Sequence, residues 1–127
     1  MASIVLIDDD HLVREMLKIA LGKAGHNVVV AANGAHVEGH LFHNKPDIVV
    51  TDLLMPECDG LETIQRIRKS NASVKVIAIS GGGRTKNLDL LSFAKTFGAD
   101  AVLPKPFLPG DLVELIDRLS DKERTTP

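Results

Sequence analysis

The chain has 127 residues, which suits one domain with a single hydrophobic core rather than two. Its formal net charge of -2 and its aromatic content of 3%, all of it Phe, argue against nonspecific nucleic-acid binding, which needs a basic field or stacking platforms. The single Cys58 excludes an internal disulfide, and no apolar run approaches the roughly 20 residues of a membrane span. These properties predict a small cytoplasmic domain.

Five short apolar segments predict β-strands. Most of them are continuous β-branched or aliphatic runs rather than alternating ones, which is typical of strands that helices cover on both faces of a parallel sheet. The five predicted strands cover residues 4–7, 28–32, 48–50, 74–79 and 101–103.

Helical patterns separate the predicted strands, because apolar residues between them recur at spacings of three and four. The first pattern includes Val13, Met16, Leu17 and Leu21 and ends at Gly25. The other predicted helices cover residues 35–44, 61–71, 90–97 and 109–119. Strict alternation of strands and helices predicts an α/β fold, a doubly wound parallel sheet with right-handed crossovers. The predicted domain covers residues 1–120, and residues 121–127 form a short polar tail.

Reactive side chains follow four of the predicted strands. Asp8 and Asp9 follow the first strand, Asp52 the third, Ser80 the fourth and Lys105 the fifth. Ligands of doubly wound sheets bind at the carboxyl ends of the strands, so we expect these side chains to meet at one edge. Neighbouring carboxylates repel unless a cation sits among them, and an incomplete set of oxygen ligands suits Mg²⁺. The first Asp pair alone suits solvated caps equally well, but its combination with Asp52 and Lys105 favours a site.

These motifs resemble those of a response-regulator receiver domain, in that family's order and over nearly the whole chain. The matching segments are residues 4–9, Asp52-x-x-Met55-Pro56-x-x-Asp59-Gly60, Ser80 after residues 76–79, and Lys105-Pro106. The resemblance implies a flavodoxin-like, five-stranded sheet of order 2-1-3-4-5 with five helices, an order known for that family. It also implies a cis peptide bond between Lys105 and Pro106.

The resemblance implies that Asp52 accepts a phosphoryl group from a phosphohistidine on a histidine kinase or a histidine phosphotransfer protein. A carboxylate can form such an acyl phosphate when charge on the moving oxygens is neutralised. By the same resemblance, Asp9, Asp52 and the backbone carbonyl of Leu54 would bind Mg²⁺ directly, and Asp8 largely through water.

Two further side chains complete the site that the resemblance implies. The Lys105 ammonium and the Ser80 hydroxyl would contact the remaining phosphoryl oxygens, and Gly81 would leave space for the donor. The phosphorylated domain would hydrolyse its own acyl phosphate slowly and signal through contact with a downstream protein. We expect neither nucleic acid nor a membrane among its partners.

One position departs from the family pattern. Family members usually carry Tyr or Phe three residues before the lysine, and this chain has Val102 there. The phosphorylation chemistry does not need the aromatic ring, but the usual readout does. We therefore expect more of the response to come from ordering of residues 80–87, which include three consecutive glycines. We also expect a stand-alone receiver, whose output lies in another protein.

Two rival functions remain open at this point. A Mg²⁺-dependent phosphohydrolase with an Asp nucleophile could use a similar sheet, but haloacid-dehalogenase-like enzymes carry a second acid two residues after the nucleophile, where this chain has Leu54. A non-phosphorylated docking scaffold is the other rival, and the intact set of acids, Ser80 and Lys105 argues against it.

Other residues carry weaker signals. His36, His40 and His43 share one helical face and could bind a transition metal, although a solvated face is favoured because they point away from the apolar stripe. Residues 81–83, all Gly, lack the rest of a nucleotide-binding motif and suggest a flexible connector. Cys58 is interpreted as an ordinary loop thiol rather than an oxidant sensor.

Overall fold

Strands and helices alternate along the chain as predicted. The computed structural model describes residues 2–53, 60–71, 73–80, 95–96 and 98–124. The strands are β1 (Ser3–Ile7), β2 (Asn27–Ala31), β3 (Ile48–Asp52), β4 (Lys75–Ser80) and β5 (Ala101–Pro104). The helices within the described residues are α1 (His11–Lys23), α2 (Val37–Asn44), α3 (Gly60–Ser70) and α4 (Pro109–Arg124). The helix predicted over residues 90–97 lies largely outside the described residues. Two of its positions, Lys95 and Thr96, are described, and both are helical.

The five strands form one parallel sheet of order β2-β1-β3-β4-β5, which confirms the predicted topology. The central neighbours β1 and β3 pair in a register that sets Ile7 level with Thr51. Asp8 and Asp52 each follow one of these two residues, so both lie at the same level of the same edge. The topology therefore brings together residues that are more than 40 positions apart in sequence.

The core forms two layers, one on each face of the sheet. Alternate residues of β1 enter opposite layers because successive side chains of a strand point to opposite faces. Val5 and Ile7 pack with α2 and α3, whereas Ile4 and Leu6 pack with α1 and α4. Both faces are covered by helices, which explains why the strands read as continuous apolar runs.

The apolar pattern of α1 serves two surfaces rather than one. Leu17 and Leu21 are buried against the sheet, as the predicted stripe requires. Met16 belongs to the same periodic set but is 49% exposed, and it lies with Leu12 and Ile19, which are 79% and 58% exposed. These three side chains form a second stripe at spacings of four and three, and we call it the α1 apolar stripe.

The last helix is longer than the apolar stripe that predicted it over residues 109–119. Residues 121–124, predicted as part of a polar tail, continue α4 as far as Arg124. The physical reason is helix propensity, because Lys, Glu and Arg are straight-chain residues that lose little freedom in a helix. No helix within the described ranges is both long and apolar enough to cross a lipid bilayer.

Long side-chain contacts join the elements at the amino edge of the sheet, opposite the strand ends that carry the acids. Arg68 of α3 donates through Nε to the Gly98 carbonyl oxygen over 2.8 Å, and it also contacts the Val74 carbonyl and the Asp100 carboxylate. Asp47, just before β3, accepts the backbone N–H of Ser3 at 2.8 Å. These contacts hold the starts of neighbouring strands in register.

His26 makes a further contact at this amino edge that no local sequence pattern indicated. Its side chain is buried, and its Nδ1 accepts the backbone N–H of Ala2 over 2.9 Å. The ring proton therefore lies on Nε2, which is 3.1 Å from Oδ1 of Asp117 and donates to it. One imidazole thus ties the start of β1 and the turn before β2 to α4.

We predict that His26→Ala lowers the free energy of unfolding by about 2–3 kcal/mol. The change removes two hydrogen bonds and leaves the buried Ala2 N–H without its acceptor. His43→Ala is the matched control, because His43 is exposed and surface substitutions usually change stability by less than about 0.5 kcal/mol. Urea unfolding of both variants measures the difference, and equal losses would contradict the role assigned to His26.

Candidate functional site

Three carboxylates meet at the carboxyl edge of the sheet, where the sequence predicted them. One side-chain oxygen from each of Asp8, Asp9 and Asp52 lies within 4.8 Å of the others. Asp8 and Asp52 are buried, whereas Asp9 is exposed at the start of the turn that leads into α1. The cluster therefore has two acids anchored in the sheet and one facing solvent.

The turn between β1 and α1 is held by its own acidic side chains. Asp8 Oδ1 accepts the backbone N–H of Asp10 over 2.9 Å. Asp10 is the N-cap of α1, and its side chain accepts the backbone N–H groups of Leu12 and Val13. Asp10 is absent from the predicted site residues, although an Asp directly before a helical apolar pattern is a recognisable N-cap signal.

Lys105 places its ammonium among the acids. Its Nζ lies 3.1 Å from Oδ2 of Asp52 and 3.7 Å from Oδ2 of Asp8. Burial alone lowers the pKa of Lys105, but the charge of Asp52 and its hydrogen bond, with the charge of Asp8, outweigh this and raise that pKa above 10.5. Lys105 therefore stays a cation at neutral pH, and the bond to Pro106 is cis as the resemblance implied.

The buried carboxylate of Asp8 is incompletely satisfied. Within the described part of the chain its Oδ2 has no hydrogen-bond partner, and only 1% of the residue is exposed. Burial is the main cause that raises the pKa of Asp8 above 3.8; the hydrogen bond from Asp10 lowers it, and the charge of Asp52 raises it further. Among the described residues, three carboxylates face one ammonium here, so negative charge is in excess.

These observations fit a hard divalent cation. A buried oxygen with no hydrogen bond, excess negative charge and donors that are all oxygens match the preference of Mg²⁺, which binds through one or two carboxylates and keeps several waters. In the described ranges this is the one group of His, Cys, Asp or Glu residues close enough to hold a metal ion. The alternative metal site at His36, His40 and His43 gains no support, since the first and last are exposed to solvent.

Several predicted positions lie wholly or partly outside the residues that the structure describes. The backbone of Ser80 ends β4 and pairs with Pro104 of β5, which puts Ser80 at the same edge as the acids. Its hydroxyl lies outside the described atoms, as do Leu54, Cys58 and the residues 81–87. Val102 is partly buried and packs against the core layer that α2 and α3 cover.

Comparison with known proteins decides the family. The response regulator receiver domain model matches this chain over residues 4–117. The chain belongs to this family. It is a receiver domain of two-component response regulators, the signalling proteins that are phosphorylated on Asp.

Curated relatives of the receiver include both short and long proteins. The chemotaxis protein CheY of Thermotoga maritima is 34% identical over 118 residues, which cover 92% of this chain and 96% of that protein. Response regulator MprA of Mycobacterium sp. (strain KMS) is 34% identical over 127 residues, which cover 97% of this chain and 51% of that protein. The chain thus spans about half the length of MprA.

Solved receiver structures have the same fold. A CheY-like receiver domain protein from Methanospirillum hungatei superposes with a TM-score of 0.88 at 25% identity, covering 100% of this chain and 99% of that one. A receiver domain protein from Clostridium thermocellum gives a TM-score of 0.87 at 28% identity, with 98% of each chain covered. The predicted fold class and family are both confirmed.

We predict that Asp8→Asn stabilises the metal-free receiver at neutral pH, by roughly 1 kcal/mol, a common size for one substitution. The pKa of Asp8 is raised in the folded state, so the folded chain binds that proton more tightly than the unfolded chain does. The resulting stability is present at low pH and is lost as pH rises from 3.8 through the raised pKa.

Thermal unfolding with excess chelator across this pH range tests the prediction. The gap between Asp8→Asn and the wild type should widen as pH rises and close near pH 3.8. A gap of constant size would show that the buried charge of Asp8 is not its cause.

Proposed function

We propose that Asp52 is the phosphoacceptor of this receiver and that its donor is a phosphohistidine on a histidine kinase or a histidine phosphotransfer protein. The observation that carries this proposal is the position of Asp52: a buried carboxylate at the end of a central strand, 3.1 Å from the Lys105 ammonium and in one cluster with Asp8 and Asp9. Asp8 already uses Oδ1 to hold the β1–α1 turn, and exposed Asp9 lacks the contact with Lys105 that would stabilise a transferred group.

The proposed transfer is an in-line displacement at phosphorus. An Asp52 carboxylate oxygen forms the new bond to phosphorus as the bond from phosphorus to the donor imidazole nitrogen breaks. The electron pair of that bond returns to the imidazole, and the product on Asp52 is an acyl phosphate. The Lys105 ammonium stabilises negative charge on one phosphoryl oxygen, and the predicted role of Ser80 is to contact another.

Mg²⁺ would be held directly by Asp9 and Asp52 and by Asp8 largely through water, and it would supply positive charge to the phosphoryl group when bound. The excess of carboxylates over ammonium supports this assignment. Leu54, the predicted carbonyl ligand, stays a prediction.

We class the domain as a switch rather than an enzyme, one that promotes only its own phosphorylation and slow dephosphorylation. Its cytoplasmic location and its stand-alone organisation also stay predictions.

Exposed apolar side chains flank this site and suit the docking of a protein donor. Leu12 lies in the first turn of α1, two residues past the N-cap Asp10, and Leu108 lies three residues beyond Lys105. They are 79% and 71% exposed. A donor imidazole can reach Asp52 only if the donor surface covers this edge of the sheet. We therefore propose that the donor protein packs on the Leu12 end of the α1 apolar stripe and on Leu108.

The first prediction from this proposal concerns the acceptor. Asp52→Asn should abolish phosphate incorporation, because an amide oxygen is too poor a nucleophile to replace the carboxylate. Intact-mass spectrometry after incubation with a phosphohistidine donor and Mg²⁺ measures it. Asp10→Asn is the matched control, since Asn caps helices as well as Asp does and should leave labelling intact. Equal labelling of wild type and Asp52→Asn would overturn the assignment of Asp52 as the acceptor. Undiminished labelling of the wild type in excess chelator would overturn the assignment of the Mg²⁺ site.

A second prediction concerns docking. The double variant Leu12→Ala, Leu108→Ala should lower kcat/KM for transfer from a phosphohistidine protein by about 10-fold, the usual cost of losing buried apolar anchors in an interface. Its labelling by a small-molecule acyl phosphate should stay unchanged, because that donor needs no protein surface. Phe42→Ala is the control: Phe42 is 75% exposed but belongs to α2, on the opposite face of the sheet. An equal loss with both donors would mean that the two leucines support the site rather than the docking.

A further inference from the structure

Arg14 of α1 reaches back to the turn that carries the acidic cluster. Its Nη1 donates to the backbone carbonyl oxygen of Asp8 over 2.9 Å. Its Nη2 lies 3.3 Å from Nδ1 of His11, at the first residue of the helix. The guanidinium therefore contacts the peptide group that links Asp8 to Asp9, and within the described residues it forms no ion pair with the three carboxylates of the cluster.

That peptide group governs where the carboxylate of Asp9 points. The preceding peptide is held because the Asp8 N–H donates to the Ala31 carbonyl oxygen over 3.1 Å. The following peptide is held by the Asp10 N–H, which donates to Asp8 Oδ1. The carbonyl between them is the one that Arg14 binds. With all three peptides fixed, the exposed side chain of Asp9 projects from a rigid turn toward Asp8 and Asp52.

We propose that Arg14 is a positioning residue for the metal site: it orients Asp9 by binding the Asp8 carbonyl, and so raises the affinity for Mg²⁺. This inference rests on the proposed Mg²⁺ site. Partners that orient metal ligands in this way typically change metal affinity by about 10–100-fold. A rigid Asp9 has already lost the conformational freedom that binding would otherwise have to remove.

The sign of the effect separates positioning from simple charge. Arg14 is a cation on the helix that begins beside the acids, so through charge alone it would oppose the binding of another cation. Removing it would then strengthen Mg²⁺ binding. If Arg14 acts by holding the turn, its removal weakens Mg²⁺ binding despite the loss of that repulsion. The two roles therefore predict opposite changes in the same measured constant.

Isothermal titration of Mg²⁺ into the full chain measures this constant without phosphorylation. Arg14→Met keeps an unbranched apolar stem but loses the guanidinium donors, and we expect a roughly 10-fold weaker Kd. Lys18→Met is the matched control, because it makes the same charge change at an exposed position one turn further along α1 and should leave Kd unchanged. Arg14→Lys keeps the charge without the forked geometry of the guanidinium, and its Kd should fall between those of wild type and Arg14→Met.

Phosphorylation kinetics add a second readout that a general loss of stability would not produce. With a small-molecule acyl phosphate as donor, Arg14→Met should need about 10-fold more Mg²⁺ for half-maximal labelling, with the maximal rate unchanged at saturating Mg²⁺. If Arg14→Met fails to fold, the same comparison is made with Arg14→Lys.

The outcomes keep the two proposals apart. If the wild type binds no Mg²⁺, the proposed metal site is wrong. If the wild type binds Mg²⁺ and the Arg14 variants bind it equally well or more tightly, the metal site stands and the positioning role is wrong. If Arg14→Met and Lys18→Met weaken Mg²⁺ binding by the same factor, the loss is not specific to the contact with the Asp8 carbonyl, and the positioning role is likewise wrong.

Discussion

The excess of negative charge at the adjoining ends of β1 and β3 is the constraint on which this receiver depends. Two of the carboxylates are buried, and in the part of the chain that the structure describes only the Lys105 ammonium faces them. Burial of charge without full compensation lowers the stability of the folded state. The aliphatic layers on both faces of the sheet must therefore offset the stability that is lost at the site. The same imbalance supports the Mg²⁺ and phosphoryl binding that we propose for this edge.

Short connections turn this imbalance into a defined geometry. Only Asp8, Asp9 and Asp10 separate β1 from α1, and their backbone is tied to β2, to a side chain of the turn itself and to a guanidinium one turn into the helix. Lys105 comes from the far side, directly after β5. The parallel topology brings the acidic residues close together, and local hydrogen bonds fix the orientation of the turn that carries them. Both are needed, because a flexible cluster of acids would spread apart under its own repulsion.

The sequence was informative where one local rule decides the outcome. Continuous apolar runs predicted the five strands, and the shared edge of parallel carboxyl ends predicted that Asp8 and Asp52 would meet. Contacts that depend on distant residues could not be predicted. His26 pairs with Asp117, which is 91 positions away, and no periodicity joins them. Met16 fits a helical repeat, but two apolar stripes share α1, and only packing against the sheet decides which one is buried.

The side-chain contacts at the amino edge have a consequence for how changes in this receiver combine. His26, Arg68 and Asp47 join strand starts that lie about five residues from the acidic cluster, or roughly 16 Å along an extended chain. Effects of substitutions separated by more than about 10 Å without shared partners usually add. The energetics of the two edges are therefore separable: thermal tolerance can be altered at one while the affinity for cation and phosphoryl group is altered independently at the other.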